Sequence, residues 1–147
     1  MTRNFKQILL IVMLLLIGYL PKASKKVVFK NADYTFYKGK YYRNMQGRYI
    51  LVSPPTGLRV NVLPVGFVTI HIGRDYYYYD EGVYYREIEN EYEVVNPPVG
   101  AIVFDLPVDA EVVIYEGKVY YEYFDILYKK VETPKGDAYE IVGQLED

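Results

Sequence analysis

Pro54-Pro55-Thr56-Gly57-Leu58-Arg59-Val60-Asn61-Val62-Leu63-Pro64 is answered 43 residues further on by Pro97-Pro98-Val99-Gly100-Ala101-Ile102-Val103-Phe104-Asp105-Leu106-Pro107. Pro-Pro, Gly and Leu-Pro hold the same places in both phrases. Self-similarity at such a period is the mark of one supersecondary unit used more than once. Within the first phrase Leu58, Val60 and Val62 alternate with Arg59 and Asn61, the pattern of a half-buried strand. The prolines cannot donate to a ladder, so they start and stop that strand, and Ser53 before Pro54 is held extended.

Reading outward, Phe67–Ile72 alternates again, Gly73-Arg74 is a two-residue turn, and Tyr76-Tyr77-Tyr78-Tyr79 follows. Asp80-Glu81-Gly82 reverses the chain into Val83–Ile88, and Tyr92–Val95 closes the unit before Pro97. The next pass reads Ala101–Leu106, Glu111–Tyr115, a Glu116-Gly117 turn, Lys118–Phe124, Leu127–Val131 and Tyr139–Val142. Upstream lie Val27–Phe29, a hairpin from Asp33–Tyr37 through Lys38-Gly39 to Lys40–Arg43, and Arg48–Val52. The expectation is an all-β fold of tandem small meanders of about 43 residues, about five short strands in each complete pass. Two packed SH3-like barrels and one bent continuous meander both satisfy the pattern. The divisions are 1–23 (signal peptide or N-terminal anchor, a helix), 24–53 (the last strands of a first unit), 54–96 and 97–147. A single five-strand unit is marginal alone, so the units are expected to share a sheet or core.

Residues 1–23 read as an address. Arg3 and Lys6 precede the thirteen apolar-rich residues Ile8–Leu20, a basic segment and hydrophobic run of secretory type, too short for an ordinary membrane span. Ala23 stands at a cleavage position but Pro21 precedes it by two, which leaves both cleavage and retention as an anchor open. The expected location is extracytoplasmic: secreted to the periplasm or outer cell envelope. The chain has no cysteine, which excludes a disulfide framework, a thiol nucleophile and a lipidated cysteine.

Tyrosine dominates the composition, with 19 residues against six phenylalanines and no tryptophan, and favours a pleated, half-buried surface. Charge divides the chain. Residues 25–73 carry eight basic side chains against Asp33 alone, a balance of +7, whereas 74–147 carry six basic against eighteen acidic, a balance of −12. Such asymmetry suits a basic end near anionic lipid headgroups or wall polymer, or attraction between copies of the chain; it equally suits an unevenly charged solvated surface.

The phrase Tyr77-Tyr78-x-x-x-Gly82-Val83-Tyr84-Tyr85-Arg86, then Tyr92-Glu93-Val94-Val95-x-Pro97-Pro98-x-Gly100 and Leu106-Pro107, resembles a bacterial exported, tyrosine-rich family, domain of unknown function 6515. The likeness runs from about Asp33 to Val142 and implies an envelope protein with no assigned activity. The chain departs from that pattern at Glu91, where Gly is usual, and at Asp125-Ile126-Leu127-Tyr128, where Gly-x-Tyr-Tyr is expected. An irregular last hairpin with a longer loop around Thr133–Asp137 is the expected consequence.

No catalytic set is legible, and the expectation is a protein that is not an enzyme and takes no cofactor or metal. His71, the single histidine, falls on the strand face opposite Val68 and Ile70 and has no second histidine or cysteine to complete a transition-metal site. Ser53 lies in no nucleophile-elbow pattern, and the glycines sit singly at turns rather than in a phosphate-cradling loop. Asp80, Glu81, Glu87, Glu89, Glu91 and Glu93 cluster around one hairpin without a calcium-loop motif; they read better as edge charges than as the carboxylate pair of a hydrolase, the third and remotest alternative.

The tyrosines carry the functional expectation. Adjacent tyrosines on a strand face opposite sides, so one ring fills a core while its neighbour stays accessible. The candidate ligand-binding residues are Tyr76, Tyr77, Tyr78, Tyr79, Tyr84, Tyr85, Tyr120 and Tyr121, contacting envelope glycan or protein. Of Tyr76–Tyr79, either Tyr77 and Tyr79 or Tyr76 and Tyr78 should stay exposed, since so small a protein has difficulty covering both faces of a strand. The alternative is a structural or assembly protein in which the rings only pack across strands. Nucleic acid is not an expected partner, because the densest tyrosine run lies in the acidic half.

Overall fold

The computed structural model describes residues 23–146, and all of their regular structure is β. The first sheet is a meander of β1 (Lys25–Phe29), β2 (Ala32–Tyr37), β3 (Lys40–Met45) and β4 (Arg48–Val52). The second contains β5 (Arg59–Val60), β6 (Val68–Ile72), β7 (Asp75–Asp80), β8 (Val83–Ile88) and β9 (Glu91–Val94), in the order β5-β9-β8-β7-β6. The third contains β10 (Ile102–Val103), β11 (Glu111–Tyr115), β12 (Lys118–Tyr123), β13 (Ile126–Thr133) and β14 (Gly136–Gln144), in the order β10-β14-β13-β12-β11. Every ladder is antiparallel. The anticipated signal segment lies outside the described residues.

Tight turns set this regularity. Seven two-residue connections place both residues at positive φ, among them Lys38-Gly39 (48° and 80°) and Glu81-Gly82 (48° and 81°). These are the type I′ turns whose twist matches that of paired strands. Phe124-Asp125 makes the same turn (48° and 64°) although Asp125 replaces the expected glycine. Aspartate tolerates this conformation better than most residues, and the Asp125 amide donates to the Glu122 carboxylate at 2.7 Å.

The two proline phrases fold alike. Gly57 and Gly100 have φ of 95° and 94°, a region closed to most L-residues. Gly57 N–H donates to Val94 O and Gly100 N–H to Ile141 O, both at 2.8 Å, while Leu58 and Ala101 return to Pro55 and Pro98 at 3.2 Å. The strands between the prolines are shorter than their alternation suggests, two residues each, because Phe67 N–H and Ala110 N–H bond back to Pro64 and Pro107 and fold the chain into turns.

Three expectations are corrected. No ladder joins the outer strands of any sheet, so the meanders stay open rather than closing as SH3-like barrels, and the strands form three sheets rather than one bent meander. The last hairpin has no long loop around 133–137. Thr133 pairs with Gly136 across Pro134-Lys135, and the strands lengthen instead. Its irregularity is a register shift between Leu127 and Tyr128.

The sheets stack with the second in the middle. One core contains Tyr41, Leu58, Leu63, Val83, Tyr85 and Val94, with Val27, Phe29 and Phe36 of the first sheet against them. The other contains Ile70, Tyr79, Tyr84, Val103, Tyr123, Ile126, Tyr128 and Ile141. Strand alternation sends Tyr84 and Tyr85 to opposite faces, one into each core. The Tyr85 hydroxyl meets that of Tyr41 at 2.8 Å, and the Tyr84 hydroxyl meets that of Tyr128 at 2.7 Å. Each pair spans 44 residues. Leu127 stands 43 residues after Tyr84 and carries no hydroxyl.

Candidate functional site: an aromatic ledge on the middle sheet

The tyrosine run divides by strand parity, and both halves are used for packing. Tyr77 and Tyr79 face the third sheet. Tyr79 is buried, lies opposite Tyr84 with ring centroids 5.0 Å apart, and donates its hydroxyl to Asp105 O at 2.9 Å. Tyr77 is half-buried beneath the Arg86 guanidinium, 5.4 Å from its ring centroid. Tyr76 and Tyr78 face the first sheet, which covers the inner part of that surface and leaves the outer part open.

Of the eight tyrosines expected to meet a ligand, Tyr79, Tyr84 and Tyr85 are 6, 2 and 0% exposed and are removed from that role. The reason is the stack: a sheet of this size cannot cover its own two faces, but a neighbour on each side does. Burial pushes the Tyr79, Tyr84 and Tyr85 hydroxyls above the ordinary tyrosine range and raises that of Tyr41 to about 12. Tyr77, Tyr78, Tyr120 and Tyr121 are half-buried, and Tyr76 is exposed.

The accessible aromatic surface is a ledge on the second sheet. Phe67 stands edge-on to Tyr78 at 5.4 Å, Tyr76 to Tyr78 at 5.8 Å, and Tyr92 to Tyr78 at 5.6 Å. Tyr78 is thus the hub, with Phe67 and Tyr76, at 42 and 45% exposed, as its open rim. His71 lies exposed on the same surface, 6.3 Å from Tyr76 between ring centroids. A smaller counterpart on the third sheet pairs Tyr121 with Tyr139 at 5.2 Å, edge to face. Tyr78 and Tyr121 therefore sit in such clusters, while Tyr120, of opposite parity, is turned to the other face of its sheet.

Phe67 and Tyr92 were not among the sequence candidates. A signal for Tyr92 existed: a two-residue turn at Glu89-Asn90 fixes Tyr92 opposite Glu87, two residues along from the Tyr85–Val94 pair, and so on the face of Tyr78. Phe67 precedes the regular strand, and its position depends on the turn back to Pro64, which strand alternation does not reveal.

Behind the ledge, between the second and third sheets, runs a cleft of about 660 Å³. Asp80 belongs to its lining but shares the face of Val83, its pairing partner, and turns its carboxylate toward the first sheet, against Gly39 and within 3.8 Å of the position a Gly66 Cβ would occupy. Burial there, reinforced by the charge of Glu81 and opposed by Lys40, raises its carboxyl to about 6. Arg59 gathers Glu93, Glu89 and Glu91 at 2.9, 3.2 and 3.4 Å, which accounts for half of the acidic residues singled out around this hairpin as a surface ion cluster. Among the described residues no three His, Cys, Asp or Glu side chains converge as a metal site requires, and no helix is long and apolar enough to cross a membrane.

The chain belongs to a family of unknown function, DUF6515, whose pattern it matches over residues 7–145. No curated protein and no solved structure matches it.

Proposed function

We propose that this is an exported cell-envelope binding module without catalysis, which holds envelope glycan on the aromatic ledge Phe67-Tyr76-Tyr78-Tyr92. The observation that carries the reading is the open rim on a fixed hub: three rings meet Tyr78 edge to face, and two of them remain over two-fifths exposed. Rings immobilised this way offer an apolar face with polar tips at little entropic cost, which suits stacking against the apolar face of a sugar. Export rests on Arg3, Lys6 and the run Ile8–Leu20. The excess of lysine and arginine over residues 25–73 supports a first sheet turned towards anionic headgroups or wall polymer. We read the three sheets as tandem units of about 43 residues, the first contributing four strands among the described residues.

The test is cosedimentation of the full chain with insoluble envelope glycan. The double variant Phe67→Ser/Tyr76→Ser should lose about 1–3 kcal/mol of affinity with little change in melting temperature. Unchanged sedimentation would sink the reading. A second reading, a structural or assembly protein, is favoured by the buried hydroxyl pairs Tyr41–Tyr85 and Tyr84–Tyr128, which spend four tyrosines on joining sheets.

A further inference from the structure

Residues 53–56 and 96–97, from the two proline phrases, meet the turns at Gly82 and Phe124-Asp125 around a pocket of about 320 Å³. It shares no lining residue with the aromatic ledge or with the larger cleft. Its floor is apolar and closed, since Val83, Val94 and Ile126 are buried. Its rim is polar and open, with Ser53, Thr56, Asn96, Asp125 and Gln144 all exposed. Among the described residues no lysine or arginine lines it, and Asp125 is its one charge. The volume falls at the small end of ligand cavities, about 300–1,000 Å³, and suits a single ring rather than a chain.

The turn at its edge breaks the pattern of the others. Six of the seven left-handed two-residue turns begin with a long polar side chain, Lys30, Lys38, Gln46, Glu81, Glu89 or Glu116. The seventh begins with Phe124, at a φ of 48°. A bulky residue is costly there, and such exceptions gather at binding sites. Asp125 follows where the equivalent turns of the first two sheets have Gly39 and Gly82. Its backbone is held at both ends, the N–H by Glu122 and the C=O by Leu145 N–H, each at 2.7 Å. Its carboxylate has no ion pair or hydrogen bond among the described residues. The Phe124 ring leans on Tyr123, with 4.3 Å between centroids, and lines the pocket.

We propose that this pocket is a second ligand site, which takes a single uncharged pyranose unit, stacked on Phe124 and bonded through its hydroxyls to Asp125, Asn96 and Gln144. The bonding capacity of the rim selects this class. Asp125 only accepts; Asn96, whose Oδ1 already accepts the Thr56 hydroxyl at 3.2 Å, has its amide N–H groups to donate; Gln144 and Ser53 do both. A ring of hydroxyls, each a donor and an acceptor, satisfies all of them together. A phosphate or carboxylate would meet Asp125 with no cation to hold it, and an ammonium group cannot use the Asn96 donors. Phe124 supplies the flat apolar surface that the C–H side of a sugar ring covers. The site does not depend on the ledge reading, since the two share no residue.

The probes are the methyl glycosides of glucose, galactose, mannose and N-acetylglucosamine, titrated into the full isotope-labelled chain and followed by amide NMR shifts. At least one should move the Asn96, Asp125 and Gln144 amides in a saturable, millimolar response, and the uronic acid of the same configuration should bind about tenfold or more weakly. Asp125→Gly gives this turn the residue its counterparts have, so it should melt no lower than the wild type while binding the sugar about tenfold more weakly. Should Asp125→Gly fail to fold, Asn96→Ala decides, with the same loss expected. Phe67→Ser/Tyr76→Ser should leave the titration unchanged. The proposal is overturned if none of the four glycosides shifts these amides, if the uronic acid binds equally well, or if a folded Asp125→Gly binds like the wild type. Loss of the response in Phe67→Ser/Tyr76→Ser would overturn it too, by assigning the sugar to the ledge.

Discussion

Removing a single hydroxyl from the Tyr41–Tyr85 pair should cost more than removing both in proportion. The two side chains are 1 and 0% exposed and share one hydrogen bond of 2.8 Å. Tyr85→Phe leaves the Tyr41 hydroxyl buried with its partner gone, and an orphaned buried group costs about 1–3 kcal/mol. Tyr41→Phe does the same to Tyr85. The double variant loses the bond but strands nothing, and replacing both partners by apolar groups of the same shape is close to neutral. A double-mutant cycle by urea unfolding should therefore return a coupling about equal to the two single costs taken together, at least about 2 kcal/mol, with each single variant melting roughly 4 °C lower per kcal/mol lost. Tyr76→Phe, on the exposed rim, serves as the control and should unfold with the wild type. If the two single effects add to within about 0.5 kcal/mol in the double variant, the hydroxyls do not act as a pair and the joint between the sheets is apolar packing alone.

Two further predictions concern the hairpin that carries Asp80 and Gly82. The Asp80 carboxyl is raised from 3.8 to about 6 by burial, so between those values the folded chain holds the proton that the unfolded chain has released. Stability from this group is greatest below about pH 4 and falls as pH rises through 6; Asp80→Asn should flatten that segment of the melting-temperature profile and raise the value at pH 7, and a profile unchanged by the substitution would refute the assignment. Gly82→Ala meets the Tyr123 ring and Pro107 at a φ of 81°, whereas Gly47→Ala, at 82°, meets nothing within 4 Å. Both substitutions should lose about 1–2 kcal/mol to the left-handed backbone, and Gly82→Ala about 1–3 kcal/mol more to overpacking; equal melting temperatures would show that the tip is not packed against the third sheet.

Local chemistry was the legible part of this fold. Paired turn residues such as Lys38-Gly39 and Glu116-Gly117 place hairpins without reference to the rest of the chain, and the spacing of Gly57 and Gly100 marks equivalent turns. Parity correctly separated Tyr76 and Tyr78 from Tyr77 and Tyr79. What parity cannot supply is the neighbour opposite each face. Half of a tyrosine run stays open only on a solitary sheet, and Tyr79, Tyr84 and Tyr85 disappear into contacts with neighbouring sheets. The ledge was half legible for the same reason: Tyr76 and Tyr78 stand out by density, but Phe67 joins them through an irregular turn. The departure at Asp125–Tyr128 misled in the opposite direction: it pointed to a longer loop around 133–137, where Thr133 pairs with Gly136 across a tight turn and Asp125 itself makes an ordinary type I′ turn.

Leu127 has a meaning that depends on direction. The hydroxyl bond between sheets joins unlike positions: the first tyrosine of one pair reaches forward and the second of the next reaches back, as Tyr41 to Tyr85 and Tyr84 to Tyr128 do. A joint made from two different patches has no built-in limit, and closes into a ring or runs on as a filament unless something ends it. What stops the series of hydroxyl bonds is a side chain. The third sheet receives a hydroxyl through Tyr128 and, with leucine in the forward position, has none to hand on. Any further sheet on that face would have to be held by apolar packing alone.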